Sequence, residues 1–232
     1  MCIRDREARF APTGLRARVS VAAGWRFGTG AEALSRSVSY FLPTGTGANA
    51  LLLRGAADVG FGRHAWASVA VRYTKPMEQT FATRIPDVPS ETILALYREA
   101  SVLRTLGQTL ELEVTPRWAV NGSLAVAAQY LYRNHSADAY TGSIDVTEEQ
   151  SGFGDATLDA SVLGLETAAH EQRLGLGFSY SSVDAWRRRR TRFPVDVTYL
   201  RTRTLTADGG YTPQVTTDEL RVRVLTKWFG GR

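Results

Sequence analysis

Residues 109–132 read TLELEVTPRWAVNGSLAVAAQYLY. Leu110, Leu112, Val114, Pro116 and Trp118 alternate with Thr109, Glu111, Glu113, Thr115 and Arg117. After Asn121-Gly122 the pattern resumes, with Leu124, Val126, Ala128, Tyr130 and Tyr132 set against Ala125, Ala127, Gln129 and Arg133. Alternation with period two sends apolar and polar side chains to opposite faces of a strand. Asn-Gly between two such runs is the turn that joins antiparallel neighbours, because both residues tolerate positive φ.

The same period recurs on either side of this hairpin. Leu15 to Phe27 carries Leu15, Ala17, Val19, Val21, Ala23, Trp25 and Phe27 on one face, and Arg16, Arg18, Ser20, Ala22, Gly24 and Arg26 on the other. Weaker alternation runs from Leu34 to Leu42, and stronger alternation from Leu51 to Phe61 and from Ala65 to Tyr73. Later come Arg173 to Ser181, Val195 to Tyr199 and Glu219 to Trp228. Nine strands are thus predicted, each near the length a tilted membrane strand needs. No apolar run reaches the roughly eighteen residues of a membrane helix, and a mean hydropathy of −0.19 with 44% hydrophobic residues suits strands that are apolar on one face only.

Connection lengths alternate. Segments 28–33, 62–64, 121–122 and 184–194 are short to modest, and 43–49 is short; 77–107 and 134–169 are long, and 207–217 is medium. Short turns at one end and long loops at the other are expected of an outer-membrane barrel. Within 77–107, Ile93, Leu94, Leu96, Tyr97, Ala100 and Leu103 have helical spacing with Ser90 as an N-cap, and they fit equally an extension of the following strand. If the last strand ends in the periplasm, nine strands make the first run inward. An even strand count then requires an outward strand before Leu15, so the expectation is ten to twelve strands and an N-terminal truncation. Segment 1–13 is a poor candidate for the extra strand. Its opening, Met1-Cys2-Ile3-Arg4-Asp5-Arg6, resembles translated sequencing-adapter text, so 1–13 is set aside as non-native or disordered, with 14–229 as the barrel and 230–232 as a tail.

Alternation alone does not say which face is outside. Large aromatics gather near strand ends: Trp25, Tyr73, Trp118, Tyr130, Tyr132, Tyr180, Trp228 and Phe229. Such girdles mark membrane interfaces, where amphipathic rings sit at headgroup level. The polar face has small residues and Arg mixed with Asp and Glu, where a solvated surface carries Lys and Glu. Of 28 Lys and Arg, lysine supplies Lys75 and Lys227 alone. The expected lumen residues are Arg18, Arg26, Arg54, Asp58, Arg72, Glu111, Glu113, Arg117, Arg133, Arg173, Asp196, Glu219, Arg221, Arg223 and Lys227. Their positive excess favours anionic solutes; paired, they would instead fill a narrow lumen.

Two motifs add a resemblance. Leu42-Pro43-Thr44-Gly45-Thr46-Gly47 and Ser151-Gly152-Phe153-Gly154-Asp155-Ala156-Thr157-Leu158 resemble segments of transporter-type outer-membrane barrels. That group includes the porin-like proteins associated with phenol-degradation gene clusters. Leu15 to Phe229 as a whole resembles uncharacterised outer-membrane barrels from environmental bacteria, and Val222 to Phe229 resembles the terminal strand recognised by the barrel-assembly machinery. The resemblance implies a bacterial outer-membrane location, lipid around the barrel, and passive passage or binding of small solutes. It assigns no catalytic, cofactor-binding or metal-binding residue.

Other constellations point elsewhere less strongly. Cys2 is the one cysteine, which excludes an internal disulfide and a cysteine zinc site. A net charge of +5 without a basic helix or RNA-binding aromatic motif does not read as a nucleic-acid surface. Segment 134–169 holds Asp138, Asp145, Glu148, Glu149, Asp155, Asp159 and Glu166 and neither Lys nor Arg, a solvated acidic loop or a divalent-cation site. Arg187–Arg190 and Arg192 form a basic turn that would meet anionic headgroups, periplasmic partners or solvent alone. His135 and His170 flank one loop, His64 lies apart, and no nucleophile motif accompanies them. The reading is therefore a non-enzymatic outer-membrane barrel, either a small porin or a closed barrel whose loops 77–107 and 134–169 anchor or bind at the surface.

Overall fold

The computed structural model describes residues 4–9, 15–29, 47–62, 64–88, 91, 94–152, 154–209 and 214–224, the side chains of 4–9 and of Asp184 excepted. Their backbone is mostly antiparallel β-structure. The main sheet has nine strands: β1 (Arg4–Arg9), β2 (Leu15–Arg26), β3 (Ala50–Phe61), β4 (Ala65–Pro76), β7 (Thr109–Ala119), β8 (Leu124–His135), β12 (Ala169–Ser181), β13 (Val195–Asp208) and β14 (Thr216–Val224). They lie side by side in chain order, every neighbouring pair antiparallel. The strands between, β5 (Gln79–Arg84), β6 (Glu99–Thr105), β9 (Ala139–Thr141), β10 (Ser143–Val146) and β11 (Ala156–Asp159), belong to two smaller sheets.

The alternating runs of the sequence become these wall strands, with three differences. First, β2 pairs directly with β3, from Leu15 opposite Phe61 to Arg26 opposite Ala50, so no strand stands between them. The expected strand at Leu34–Leu42 has no place there, and its residues lie outside the described ones. Omitting β1 from the nine leaves eight long strands, and β2 runs from the short-turn end toward the long-loop end. The sheet's nine described strands thus include Arg4–Arg9 and have no further strand between β2 and β3. Second, Arg4–Arg9, inside the segment set aside, pairs with β2 from Arg4 opposite Val21 to Arg9 opposite Arg16. Its sequence RDREAR does not alternate in polarity, so backbone hydrogen bonds to an open edge account for it. Third, β13 continues well past Tyr199 to Asp208, absorbing a bulge opposite Gln172 and Arg173.

Turns 62–64, 120–123 and 182–194 share one end of the sheet; the last contains the short helix α2 (Val183–Arg187). Connections 27–49, 77–108, 136–168 and 209–215 share the other. At Asn121 the side-chain Oδ1 accepts the N–H groups of Ser123 and Leu124, each at 2.8 Å, which satisfies the turn's own donors.

The two longest connections fold onto each other. β5, β6 and β9 form one sheet, β10 and β11 a hairpin, and Ile85, Val102 and Ala160 are fully buried between them with Phe81, Tyr140, Ile144, Leu158 and Val162 packed around. This small core gives the cap an apolar interior of its own. Period-3.6 spacing over Ile93–Leu103 yields a single 3₁₀ turn, Leu96–Arg98, which leads into β6. Neither alternative is realised as such: β6 belongs to the small sheet with β5 and β9 and is not a continuation of β7; Ser90 lies outside the described residues. The helix α1 (Glu148–Ser151) starts in a capping box of Thr147 and Gln150 and stops at Gly152, φ 73°. Where the connections meet the wall, a Cβ on Gly107 would stand 1.8 Å from the Ser136 carbonyl oxygen, so only glycine allows that approach.

Because Ile85 is fully buried in this cap core, Ile85→Ala should cost about 2–5 kcal/mol of local stability. Limited proteolysis of the folded protein should then cut within 77–108 or 136–168 while the wall fragment stays protected.

Candidate functional site

Ladder register carries each side chain to its face. One row of directly opposed residues crosses eight strands as Leu15, Phe61, Ala65, Trp118, Val126, Phe178, Tyr199 and Leu220. All are apolar or aromatic, and many are solvent-exposed: Phe61 and Trp118 at 56% each, Leu220 at 67%. One residue along, the opposite face reads Arg16, Gly60, Trp66, Arg117, Ala127, Gly177, Leu200 and Glu219. Of the expected lumen residues, every one within the described chain falls on this second face. These are Arg18 and Arg26 (β2), Arg54 and Asp58 (β3), Arg72 (β4), Glu111, Glu113 and Arg117 (β7), Arg133 (β8), Arg173 (β12), Asp196 (β13), and Glu219, Arg221 and Arg223 (β14). Lys227 lies outside the described residues, as do Trp228 and Phe229. Trp25, Tyr73, Trp118, Tyr130, Tyr132 and Tyr180 all take the apolar face.

Curvature makes the polar face the inner one. Arg26 on β2 and Glu171 on β12 line the same cavity, of about 490 Å³, although three strands and β8 intervene in the sheet. Two ends of the concave face differ in chemistry. Toward the long loops, Arg54, Arg72, Glu111, Arg133 and Glu171 are consecutive partners in one row across β3, β4, β7, β8 and β12. Glu111 takes Arg72 at 3.3 Å and Arg133 at 3.5 Å, and Glu113 takes Arg72 at 3.6 Å and the Gln129 amide at 2.8 Å. Arg173 donates from Nε to the buried Glu171 carboxylate at 2.5 Å. Apart from the buried Glu171, these groups keep a quarter to a half of their side-chain surface exposed, so solvent screens the pairing.

Toward the short turns, a second cavity of about 310 Å³ is lined by Arg117, Ser179, Ser181, Asp196, Thr198, Arg221 and Arg223. Ala125 and Ala127 on β8 leave room for Arg117 to reach over that strand and donate to the Ser179 hydroxyl. Its guanidinium lies 4.8 Å above the Trp66 ring, a cation–π contact that orients it. Trp66 and Glu171 were not among the residues expected here. For Trp66 the signal was its even position in an alternating run; Glu171 stood two residues before the predicted start of its strand.

The convex face also carries polar contacts. Near the long-loop end the Tyr73 hydroxyl donates to Gln108 at 2.5 Å, the Tyr130 hydroxyl to Gln172 at 3.0 Å, and the Tyr132 ring meets His170 edge-on at 5.0 Å. The two phenols thus pair their polar tips while their rings stay on the apolar face. Above them, Arg201 and Arg203 stand on the outer face opposite Leu176 and Leu174, and Arg201 approaches Asp218 at 3.9 Å.

His135 and His170 do not converge: they occupy the inner and outer faces of neighbouring strands, separated by the pleat. His135 instead meets Asp138 at 3.4 Å and Thr109 at 3.0 Å. Four of the seven acids of 134–169 accept from local donors. Asp138 accepts the Gly107 N–H at 2.6 Å, Asp145 the Thr157 hydroxyl at 2.7 Å, Asp155 the Glu148 N–H at 2.7 Å and Asp159 the Ser161 N–H at 2.7 Å. The Ser161 bonds hold the Asp159 carboxyl below its ordinary range, and burial with Asp138 nearby pushes the Tyr140 phenol up. Among the described residues no group of three His, Cys, Asp or Glu could hold a metal, and no helix is long and apolar enough to cross a membrane. No protein-family model matches the chain, and no curated protein matches it with significant similarity.

Glu111→Gln removes the shared acceptor between Arg72 and Arg133. Because these side chains are half exposed, the expected cost is only about 1 kcal/mol in urea unfolding. Glu219→Gln, whose partner among the described residues is the exposed Arg221, should cost less than about 0.5 kcal/mol.

Proposed function

We propose that the chain is an outer-membrane β-barrel through which small solutes pass or in which they bind. The observation that carries this reading is the inversion of the sheet, with arginines and carboxylates on the concave face and Val, Leu, Phe and Trp on the convex one. A water-soluble barrel packs its apolar face inward. Ten residue steps from Leu15 to Trp25, at about 3.3 Å each and a tilt of some 40°, make an apolar band roughly 25 Å tall. Around eight strands spaced about 4.8 Å apart, that is on the order of 1,000 Å², well above the few hundred that soluble monomers expose.

Closure of the wall is part of the proposal. β1 and β14 both run from the long-loop end to the short-turn end, so a seam between them would be parallel. A seam between β2 and β14 is antiparallel, like every other pairing in the sheet, and joins eight long strands, an even number. The seam we propose is therefore β2–β14, with β1 displaced. Passage of solutes is supported by the two cavities on the concave face. A second reading, a closed barrel that displays the cap for surface binding, is favoured by the Arg72–Glu111–Arg133 bridge, since eight-stranded lumens are commonly filled by side chains.

Val21 is 63% exposed in mid-band. If lipid covers it, Val21→Arg should destabilise the folded barrel in vesicles by about 2–4 kcal/mol. A change within about 0.5 kcal/mol, as on a solvated surface, would sink the membrane reading. Single-channel steps from purified protein in planar bilayers are expected, with ion selectivity altered by replacing Glu111, Arg117 or Arg223. A silent bilayer, with heat-modifiable gel mobility intact, would select the closed barrel instead.

A further inference from the structure

We propose that the cavity at the short-turn end of the concave face binds a small oxyanion, phosphate or a carboxylate, held by Arg117, Arg221 and Arg223. The inference rests on the solute-binding reading above and names its substrate class.

The three guanidiniums face one carboxylate, Asp196, in the lining of this cavity. Asp196 is already occupied as acceptor of the Ser181 hydroxyl at 2.5 Å. Although Arg223 is its direct cross-strand neighbour, no ion pair joins the two. Among the described residues, Arg223 thus has an unused fork of donors. Arg221 pairs with Glu219 at 2.6 Å, but both side chains are more than half exposed, so that pair is weak and exchangeable. Arg117 is pinned by Trp66 and Ser179, and its Nε is buried without a hydrogen-bond partner.

The remaining lining suits an oxyanion. Ser179, Ser181 and Thr198 supply hydroxyls between the arginines, and Arg–oxyanion pairs gain from bidentate, charge-assisted bonds. No lysine lines the cavity. Planar guanidinium forks on β7 and β14 converge from two sides, which discriminates an oxyanion from chloride by geometry and not by charge alone.

Approach to the site is also favoured. The turn 182–194, which joins the strands carrying Ser181 and Asp196, holds Arg187–Arg190 and Arg192, all exposed. A positive rim raises the local anion concentration and the association rate. The basic turn, for which the sequence offered headgroups, periplasmic partners or solvent, acts here as an electrostatic funnel.

The test uses the full chain folded in detergent, so it does not depend on conductance, and inorganic phosphate as the probe at constant ionic strength. Calorimetry should show saturable phosphate binding, and Trp66 emission should change with it. Arg223→Gln and Arg117→Gln should each weaken binding by about tenfold or more. Arg26→Gln, in the other cavity, should leave it within about twofold. Replacing Arg187 to Arg190 together by Gln should slow association and steepen nothing else. Absence of saturable binding in folded protein would overturn the site. So would retention of full affinity in Arg223→Gln, or loss of binding from the turn variant alone. Arg223 is exposed and, among the described residues, contributes no ion pair, so that variant decides the matter even where Arg117→Gln fails to fold. A silent bilayer with phosphate binding intact would remove passage and leave the site standing.

Discussion

Every functional feature of this protein depends on register. In an antiparallel sheet a slip of one residue sends a whole strand's polar set to the opposite face. From β2 to β14 the pairing holds one parity, so arginines and carboxylates from strands far apart in the chain meet on a single concave surface. The one irregularity, opposite Gln172 and Arg173, inserts a residue in β13 near its end, after Asp196, Thr198, Leu200 and Thr202 have taken their places inside. Placed nearer the short turns, the same bulge would have carried Asp196 to the convex side.

That shared surface then separates into two chemistries. Toward the long loops, Glu111 and Glu113 stand between Arg72, Arg133 and Gln129, and the charges neutralise one another. Toward the short turns, Ser, Thr and Ala take most places between the charges and Asp196 is the one carboxylate lining the cavity, so Arg117, Arg221 and Arg223 outnumber it. Residue size contributes as much as charge: the alanines of β8 are what allow Arg117 to span that strand to Ser179.

Much of this was legible in the sequence, because a period of two is a geometric statement. Alternation in 109–132 was enough to sort Glu111 and Arg117 from Leu112 and Trp118, and the wall strands outside Leu34–Leu42 follow from the same rule. In that run three alternating apolar positions among serines satisfy the pattern without deciding where pairing goes. Pairing is non-local, and only the direct β2–β3 ladder reveals it. The cap was illegible for a related reason. Its strands are three to seven residues long, too short to show a period, and its core unites Ile85, Val102 and Ala160 across intervening wall strands. The site at the short turns was half legible: its arginines could be listed by face, but which of them lacked a carboxylate could not.

The cap core has a kinetic consequence. Ile85 and Val102 come from one connection and Ala160 from another, with β7 and β8 between them in the chain. Loop-closure entropy must be met before such distant contacts form. The β7–β8 hairpin, with its Asn-Gly turn, shortens that distance by bringing the bases of both connections together. The cap is therefore a late-assembling element whose formation waits on one local hairpin, and its rate of ordering reports on that hairpin and not on the cap's own sequence.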